Sequence, residues 1–373
     1  MKIKLIVAVL ISMLVSCSVS KESKQKGKTY RFLVGDYSKK GAEGVYFCEF
    51  NPTEKSTKII SHSPELEDPS FLAISADQKH VYAICETKGG SVKSFGFDEK
   101  TGAFTFKNMV SSGGAHPCYI TLDKTGKWAF TGNYTGGSLA VLPVKADGSL
   151  EEPSQTIQHV GSGPNKSRQE KPHVHSVNIS PDNKNLYVAD LGTDIVTNYA
   201  FDEVTCKLSK VQEMPVKAGS GPRHIAFHPN LPLMYVIQEM AGIITQFSVK
   251  DGMLTKVEEV STLPKDFKGE NSCADIHFSP DGKFLYGSNR FYDMIVTFAV
   301  DEQTGKLTQL SQTSVKGKVP RNFGITPDGK YLLVANQETD NIVIFERDAK
   351  TGALKDLNLE LEISMPVCIK FLK

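Results

Sequence analysis

Several signatures of common chemistries are missing from this 373-residue chain. Its seven cysteines include no Cys-x-x-Cys spacing, so a structural zinc site has no framework. No Gly-x-Ser-x-Gly run occurs, which disfavours an acyl-serine mechanism on a nucleophile elbow. An excess of charge of one sign is also lacking. Lys+Arg 43 against Asp+Glu 42 leaves a formal +1, too little for a nucleic-acid binder driven by phosphate neutralisation. That balance still permits a local basic site for a small phosphate or carboxylate. Sustained 3.6-residue periodicity is absent beyond the N-terminus, so helical folds are disfavoured.

The N-terminal apolar run, Leu5 to Val15, is too short to span a bilayer and follows two lysines, Lys2 and Lys4. It ends in Leu14-Val15-Ser16-Cys17, which resembles a bacterial lipoprotein cleavage box. We expect residues 1–16 to be a signal peptide, Cys17 to take the lipid, and 17–27 to be a polar, flexible tether. The protein would then be exported and held to a membrane only through that anchor. Loss of Lys2 and Lys4 leaves 41 basic residues, so near-neutrality survives. The other cysteines sit mostly in apolar, strand-like runs, where buried free thiols are the default.

What the chain does have is a repeat. Six segments begin at Asp68-Pro69-Ser70-Phe71, His116-Pro117-Cys118-Tyr119, His173-Val174-His175-Ser176, Gly221-Pro222-Arg223-His224, Ser272-Cys273-Ala274-Asp275 and Val319-Pro320-Arg321-Asn322. Each continues as a short strand, a turn such as Pro280-Asp281-Gly282-Lys283, and three more strands separated by polar loops. Equivalent turn positions, Asp77, Thr125, Asp182, Asn230, Asp281 and Asp328, are spaced 48, 57, 48, 51 and 47 residues apart. The Asp-Gly and Thr-Gly pairs supply the positive φ of tight hairpins. Four strands per ~50 residues, repeated, is the pattern of a β-propeller. An all-β fold over residues 28–373 follows.

The ends set the blade count. Residues 30–59 read as three strands lacking a first, and Met365 to Phe371 read as a lone first strand. Joined, they make a seventh blade, with the C-terminal strand innermost and no open edge left. The rival reading, an open solenoid, suits an unfinished unit at each end less well. A closed ring needs no partner, so a monomer is expected.

On one face of such a ring the loops after each second strand meet the starts of the inner strands. The second strands end in Tyr37, Glu86, Tyr134, Leu191, Glu239, Arg290 and Gln337, preceded by Asp36, Cys85, Asn133, Asp190, Gln238, Asn289 and Asn336. The inner strands start near His116, His173, His175, Arg223, His224, Asn271 and Arg321. Apolar strands thus deliver polar groups to one channel mouth, as a ligand site requires. Each residue also has a plainer role open to it. Glu239 could pair with Arg223 or Arg290, and His173 or His175 could bond inter-blade backbone. The two histidines lack a matching carboxylate motif, so a metal is not expected.

The strings Asn133-Tyr134-Thr135-Gly136-Gly137-Ser138, Arg168-Gln169-Glu170-Lys171-Pro172-His173-Val174-His175-Ser176, Gly221-Pro222-Arg223-His224, Ser288-Asn289-Arg290 and Val334-Ala335-Asn336-Gln337 together resemble the seven-bladed propeller lactonases. That family includes propeller-type 6-phosphogluconolactonases and fungal carboxymuconate-lactonizing enzymes. The resemblance implies a site at His175, Arg223, Glu239 and Arg290, and hydrolysis of 6-phospho-D-glucono-1,5-lactone without a cofactor. Glu239 or His175 would be the general base and Arg223 would stabilise the oxyanion. Arg290 or Arg321, with His224 nearby, would hold an anionic group. His173, Asn133, Tyr134, Glu86 and Gln337 are further candidates for substrate contact. Cys85-Glu86, Gln238-Glu239 and Phe291-Tyr292 depart from the family's usual residues, the last beside Arg290. A carboxymuconate-type lactonisation, or a non-catalytic propeller binding a glycan or protein at the envelope, are the alternatives.

Overall fold

The computed structural model describes residues 28–38 and 41–373. The expected signal peptide, Cys17 and the tether lie outside the described residues. Among the described residues 28 strands form seven four-stranded antiparallel sheets, and there is no helix. Blade 1 runs outward from Leu72–Ile74 through His80–Cys85 and Ser91–Asp98 to Ala103–Ser111. The inner strands of blades 2 to 6 are Pro117–Leu122, Val174–Ile179, Pro222–Phe227, Ser272–Phe278 and Pro320–Ile325. Blade 7 is shared between the chain ends. Pro366–Phe371 lies innermost, followed by Tyr30–Asp36, Tyr46–Asn51 and Ser56–His62, with Val34 opposite Ile369. Every inner strand touches both of its neighbours, blade 7 to blade 1 included, so the ring is closed.

Burial follows strand position. The second strands are almost wholly buried, as in Leu233–Gln238 and Tyr331–Asn336, because both of their faces meet neighbouring blades. Outer strands such as Ser56–His62 and Ala103–Ser111 face water along most of their length. A repeated clasp joins consecutive blades. Tyr187, Tyr235 and Tyr286 donate their hydroxyls to the carbonyls of Gly252, Gly305 and Gly352, at 2.7, 2.6 and 2.9 Å. Each carbonyl belongs to the outer hairpin of the next blade, where the glycine takes a positive φ, 70° at Gly305. A Cβ on Gly305 would stand 2.4 Å from the Tyr235 hydroxyl, so the clasp needs glycine there.

The repeated turns are held by their own side chains. In blade 5 Ser279 donates to Asp281, which also accepts from the Lys283 amide. Thr326 and Asp328 repeat this in blade 6, and Ser180 and Asp182 in blade 3. Blade 4 differs, since His228 Nδ1 there accepts from the amides of Asn230 and Leu231. The six cysteines among the described residues are free and buried.

Candidate active site at the channel mouth

The side chains lining the mouth come from two rings, and each ring has a local structural cause. The first is a ring of β-bulges. In blade 2 Pro117 faces Asn133 and Tyr119 faces Gly132, leaving Cys118 between them without a partner. The same slip leaves His175 in blade 3, Arg223 in blade 4, Arg321 in blade 6 and Val367 in blade 7. A bulge frees one residue from the ladder and re-aims its side chain. Here it turns the residue into the channel. Proline stands immediately before the bulge in four of these five strands, where the amide proton is dispensable. The residue before that proline takes a positive φ, as at His116, Gly221, Val319 and Met365. The second ring is the one expected from the repeat, at the ends of the second strands, where Arg290 closes its strand and Glu86, Tyr134 and Glu239 each follow theirs directly. Glu86, Tyr134, Glu239 and Arg290 reach the mouth from it.

Between the rings lies a cavity of about 120 Å³ lined by Glu86, Cys118, Tyr134, Arg168, His175, Glu239, Arg290 and Arg321. Glu239, only 3% exposed, is its electrostatic centre. Oε2 accepts from Arg223 Nε at 3.0 Å and from Arg290 Nη2 at 2.9 Å. Oε1 accepts from Arg168 Nη2 at 2.5 Å. Burial alone would push this carboxyl up, but Arg290, Arg223 and Arg168 outweigh it and hold Glu239 well below the usual carboxylate range. It is therefore a fixed anion. Arg223 is wholly enclosed and is pushed down to about 10 by burial and by Arg290 and Arg321, which keeps it a cation at neutral pH. Arg290 is further tied to Ser272 Oγ at 2.8 Å and the Cys273 carbonyl at 3.2 Å.

His175 stands against this cluster. Its Nε2 is 3.9 Å from Glu239 Oε2, too far for a hydrogen bond, and Nδ1 is 3.8 Å from Cys118 Sγ. Burial first, then Arg223, His224 and Arg321, depress the ring well below the ordinary histidine range, so it is neutral at pH 7. His224 is neutral as well, pushed down to about 4 by burial and Arg223 against the pull of Asp275. Its tautomer follows from its partners. Arg223 Nη1 donates to Nε2 at 3.2 Å, so the proton sits on Nδ1 and goes to Asp275 at 2.7 Å. Below this, Phe71 stacks on Tyr119 at 4.2 Å and His224 meets both rings edge-on, forming the floor. A larger cavity, about 620 Å³, opens on the opposite face. Its buried carboxylate, Asp123, is occupied by the turn amides of Lys127 and Trp128.

Seven of the expected residues thus gather here, namely His175, Arg223, Glu239, Arg290, Arg321, Tyr134 and Glu86, with His224 completing the floor. Arg223 and His224 border a smaller adjoining void shared with Glu86, His175 and Arg321, and three other expected residues line neither space. Asn133 Nδ2 bonds the Ser112 carbonyl and Ser138 Oγ, His173 stacks behind Tyr134 at 4.4 Å, and Gln337 turns to Glu338. Both open roles of Glu239 pairing are met at once, since Arg223 and Arg290 share one oxygen. Two participants lay outside the expected set. Asp275 bonds His224, His277 and Asn322 together, and Arg168 reaches in from the long segment between blades 2 and 3. The 57-residue spacing, longest of the set, was the available sign of that segment. Among the described residues no three His, Cys, Asp or Glu side chains gather as a metal cluster.

Comparison with known proteins agrees with this geometry. Residues 31–371 match the family described as "Lactonase, 7-bladed beta-propeller". The chain belongs to this family. A relative from Bacillus subtilis named 6-phosphogluconolactonase is 34% identical, with 92% of this chain and 98% of the relative covered. Another of that name from Formosa agariphila is 36% identical over 79% of this chain and 85% of its own length. Among solved structures, a Pseudomonas aeruginosa periplasmic gluconolactonase matches with a TM-score of 0.88 at 32% identity, covering 93% of this chain and 99% of that one. A Bacteroides fragilis structure, 39% identical, also gives 0.88, over 94% and 99%. The lactonase fold is thus kept whole from the shared blade to the last inner strand.

Proposed function

We propose that this lactonase hydrolyses a sugar lactone, 6-phospho-D-glucono-1,5-lactone, to the open-chain acid at the channel mouth. The observation that carries the reading is a neutral, buried His175 facing a fixed carboxylate and a cluster of guanidiniums. His175 Nε2 takes a proton from a water that attacks the lactone carbonyl carbon. As the imidazolium forms, the anionic Glu239 stabilises it, and this assigns the base role to His175 in preference to Glu239. A carboxylate that Arg223 and Arg290 hold through one shared oxygen is too weak a base for the step. Arg223 and Arg290 would stabilise the negative charge that grows on the carbonyl oxygen. Collapse of the tetrahedral adduct breaks the bond to the ring oxygen, which receives the proton back from His175. The names of the relatives support the substrate class.

The lysines, apolar run and Cys17 box of residues 1–17 support export, as does the periplasmic relative. The activity would then lie outside the cytoplasm, and cell fractionation tests this directly. For the reaction, proton release from a panel of lactones is measured against spontaneous opening in buffer. Turnover of the phosphorylated aldonolactone well above that background supports the reading. No acceleration on any lactone, together with tight binding of a glycan, contradicts it.

A further inference from the structure

The mouth is over-supplied with cations for the anions it holds. Four guanidiniums, Arg168, Arg223, Arg290 and Arg321, surround two carboxylates, Glu86 and Glu239, while His175 and His224 are neutral. Among these side chains the formal surplus is two positive charges, cut to one by the buried Asp275 carboxylate beneath His224, so the mouth suits an anionic substrate group. The four arginines are not equivalent. Arg223 and Arg290 are enclosed, with side chains 2% and 10% exposed, and are tied to backbone or serine partners besides Glu239. Arg321 rests over the Tyr37 ring at 5.4 Å and makes no ion pair among the described residues. Arg168 is 40% exposed, and among the described residues its only charged partner is Glu239 Oε1.

The segment carrying Arg168 is anchored at the next residue. Gln169 is wholly buried and donates to the Leu191 carbonyl at 2.8 Å, while its own amide bonds the Asn165 carbonyl at 2.7 Å. The backbone is thus fixed and the freedom lies in the arginine side chain. Tyr134, clamped on His173, offers its hydroxyl 3.3 Å from Arg168 as a second resting contact.

Resting on the proposed lactonase reading, we infer that Arg168 is the specificity residue for a phosphorylated substrate. It leaves Glu239 Oε1 and closes with Arg321 on the phosphate. The move places a bidentate donor on a dianion. It also frees one oxygen of Glu239 to accept from a substrate hydroxyl, while Arg223 and Arg290 keep the other. An unphosphorylated aldonolactone offers nothing to draw Arg168 away from Glu239.

The test compares wild type, Arg168→Met and Arg168→Lys on 6-phosphoglucono-1,5-lactone and glucono-1,5-lactone. Charge-assisted contacts of this kind are worth roughly 10- to 100-fold. The preference of wild type for the phosphorylated lactone, as a ratio of kcat/KM values, should fall by about that factor in Arg168→Met, mainly through KM. Arg168→Lys should restore part of it. Calorimetric titration with inorganic phosphate gives a readout independent of turnover. Phosphate should bind wild type and bind Arg168→Met and Arg321→Met at least tenfold more weakly. An unchanged substrate ratio with equal losses on both lactones means that Arg168 only supports Glu239, and overturns the inference while leaving the lactonase reading intact. Equal phosphate affinity in all three proteins overturns it too. Wild type inactive on both lactones removes the reading on which the inference rests.

Discussion

Asp36 ends the second strand of blade 7, and replacing it with asparagine should stabilise the protein in a strongly pH-dependent way. The side chain is fully buried, and neither carboxylate oxygen has a hydrogen-bond partner. Burial, with Asp68 adding its charge, pushes the group from 3.8 up to about 8. A carboxyl raised in the folded state favours folding fully below its unfolded value and loses that contribution as pH rises through the folded value. The window here therefore runs from about pH 4 to about pH 8. At ~1.4 kcal/mol per unit, the ~4-unit difference costs on the order of 4 kcal/mol at pH 7 and nearer 6 above pH 8. Asn133 and Asn336 occupy the same place in blades 2 and 6 and donate to the Ser112 and Val315 carbonyls. Asp190, the other aspartate at this place, differs because it accepts from the His173 and Gly192 amides and meets His159. Allowing about 1–3 kcal/mol for an imperfectly paired amide, Asp36→Asn should gain about 1–4 kcal/mol at pH 8. For a chain of this size that is roughly 1–6 °C in Tm. Thermal melts of both proteins at pH 4.5 and pH 8 decide the matter. The advantage should vanish or reverse at the lower pH. Equal shifts at the two pH values, or a loss at pH 8, would refute the reasoning.

Three further outcomes are expected. Glu239→Gln leaves buried guanidiniums without their anion and should cost about 3–5 kcal/mol, read as a fall of several degrees in Tm together with lost turnover. Tyr235→Phe breaks the clasp to Gly305 between blades 4 and 5 and should cost about 1–2 kcal/mol in calorimetric unfolding, with kcat unchanged. Because His175 must be neutral to act and is depressed by burial and its arginine neighbours, the acid limb of kcat/KM should fall below the ordinary histidine range. Activity should therefore persist undiminished to about pH 6 in a pH-rate profile.

The ring itself was legible because each unit repeats its turn chemistry, and because the lone strand at Met365–Phe371 complements the three at the N-terminus. The strand-end ring was legible by counting along the repeat, which located Glu86, Tyr134, Glu239 and Arg290. What counting could not supply was side-chain direction. Asn133 lies next to Tyr134, and successive residues on a strand point to opposite faces, so it serves the neighbouring loop. The bulges that aim His175, Arg223 and Arg321 arise from pairing between two strands, and one strand's sequence does not display its register. Pro222 and Pro320 were the trace of two of them, while the His175 bulge follows Val174 and left no such mark. Arg168 escaped because it belongs to an inserted segment with no counterpart in the other units. Asp275 escaped because its partners His224 and Asn322 come from the blades on either side of its own.

The most direct test of the account is the turnover of His175→Ala beside wild type on 6-phosphoglucono-1,5-lactone, followed by stopped-flow proton release with spontaneous opening subtracted. The account predicts a loss of kcat of about 100- to 10,000-fold with little change in Tm. A His175→Ala protein that opens the lactone at the wild-type rate would contradict it.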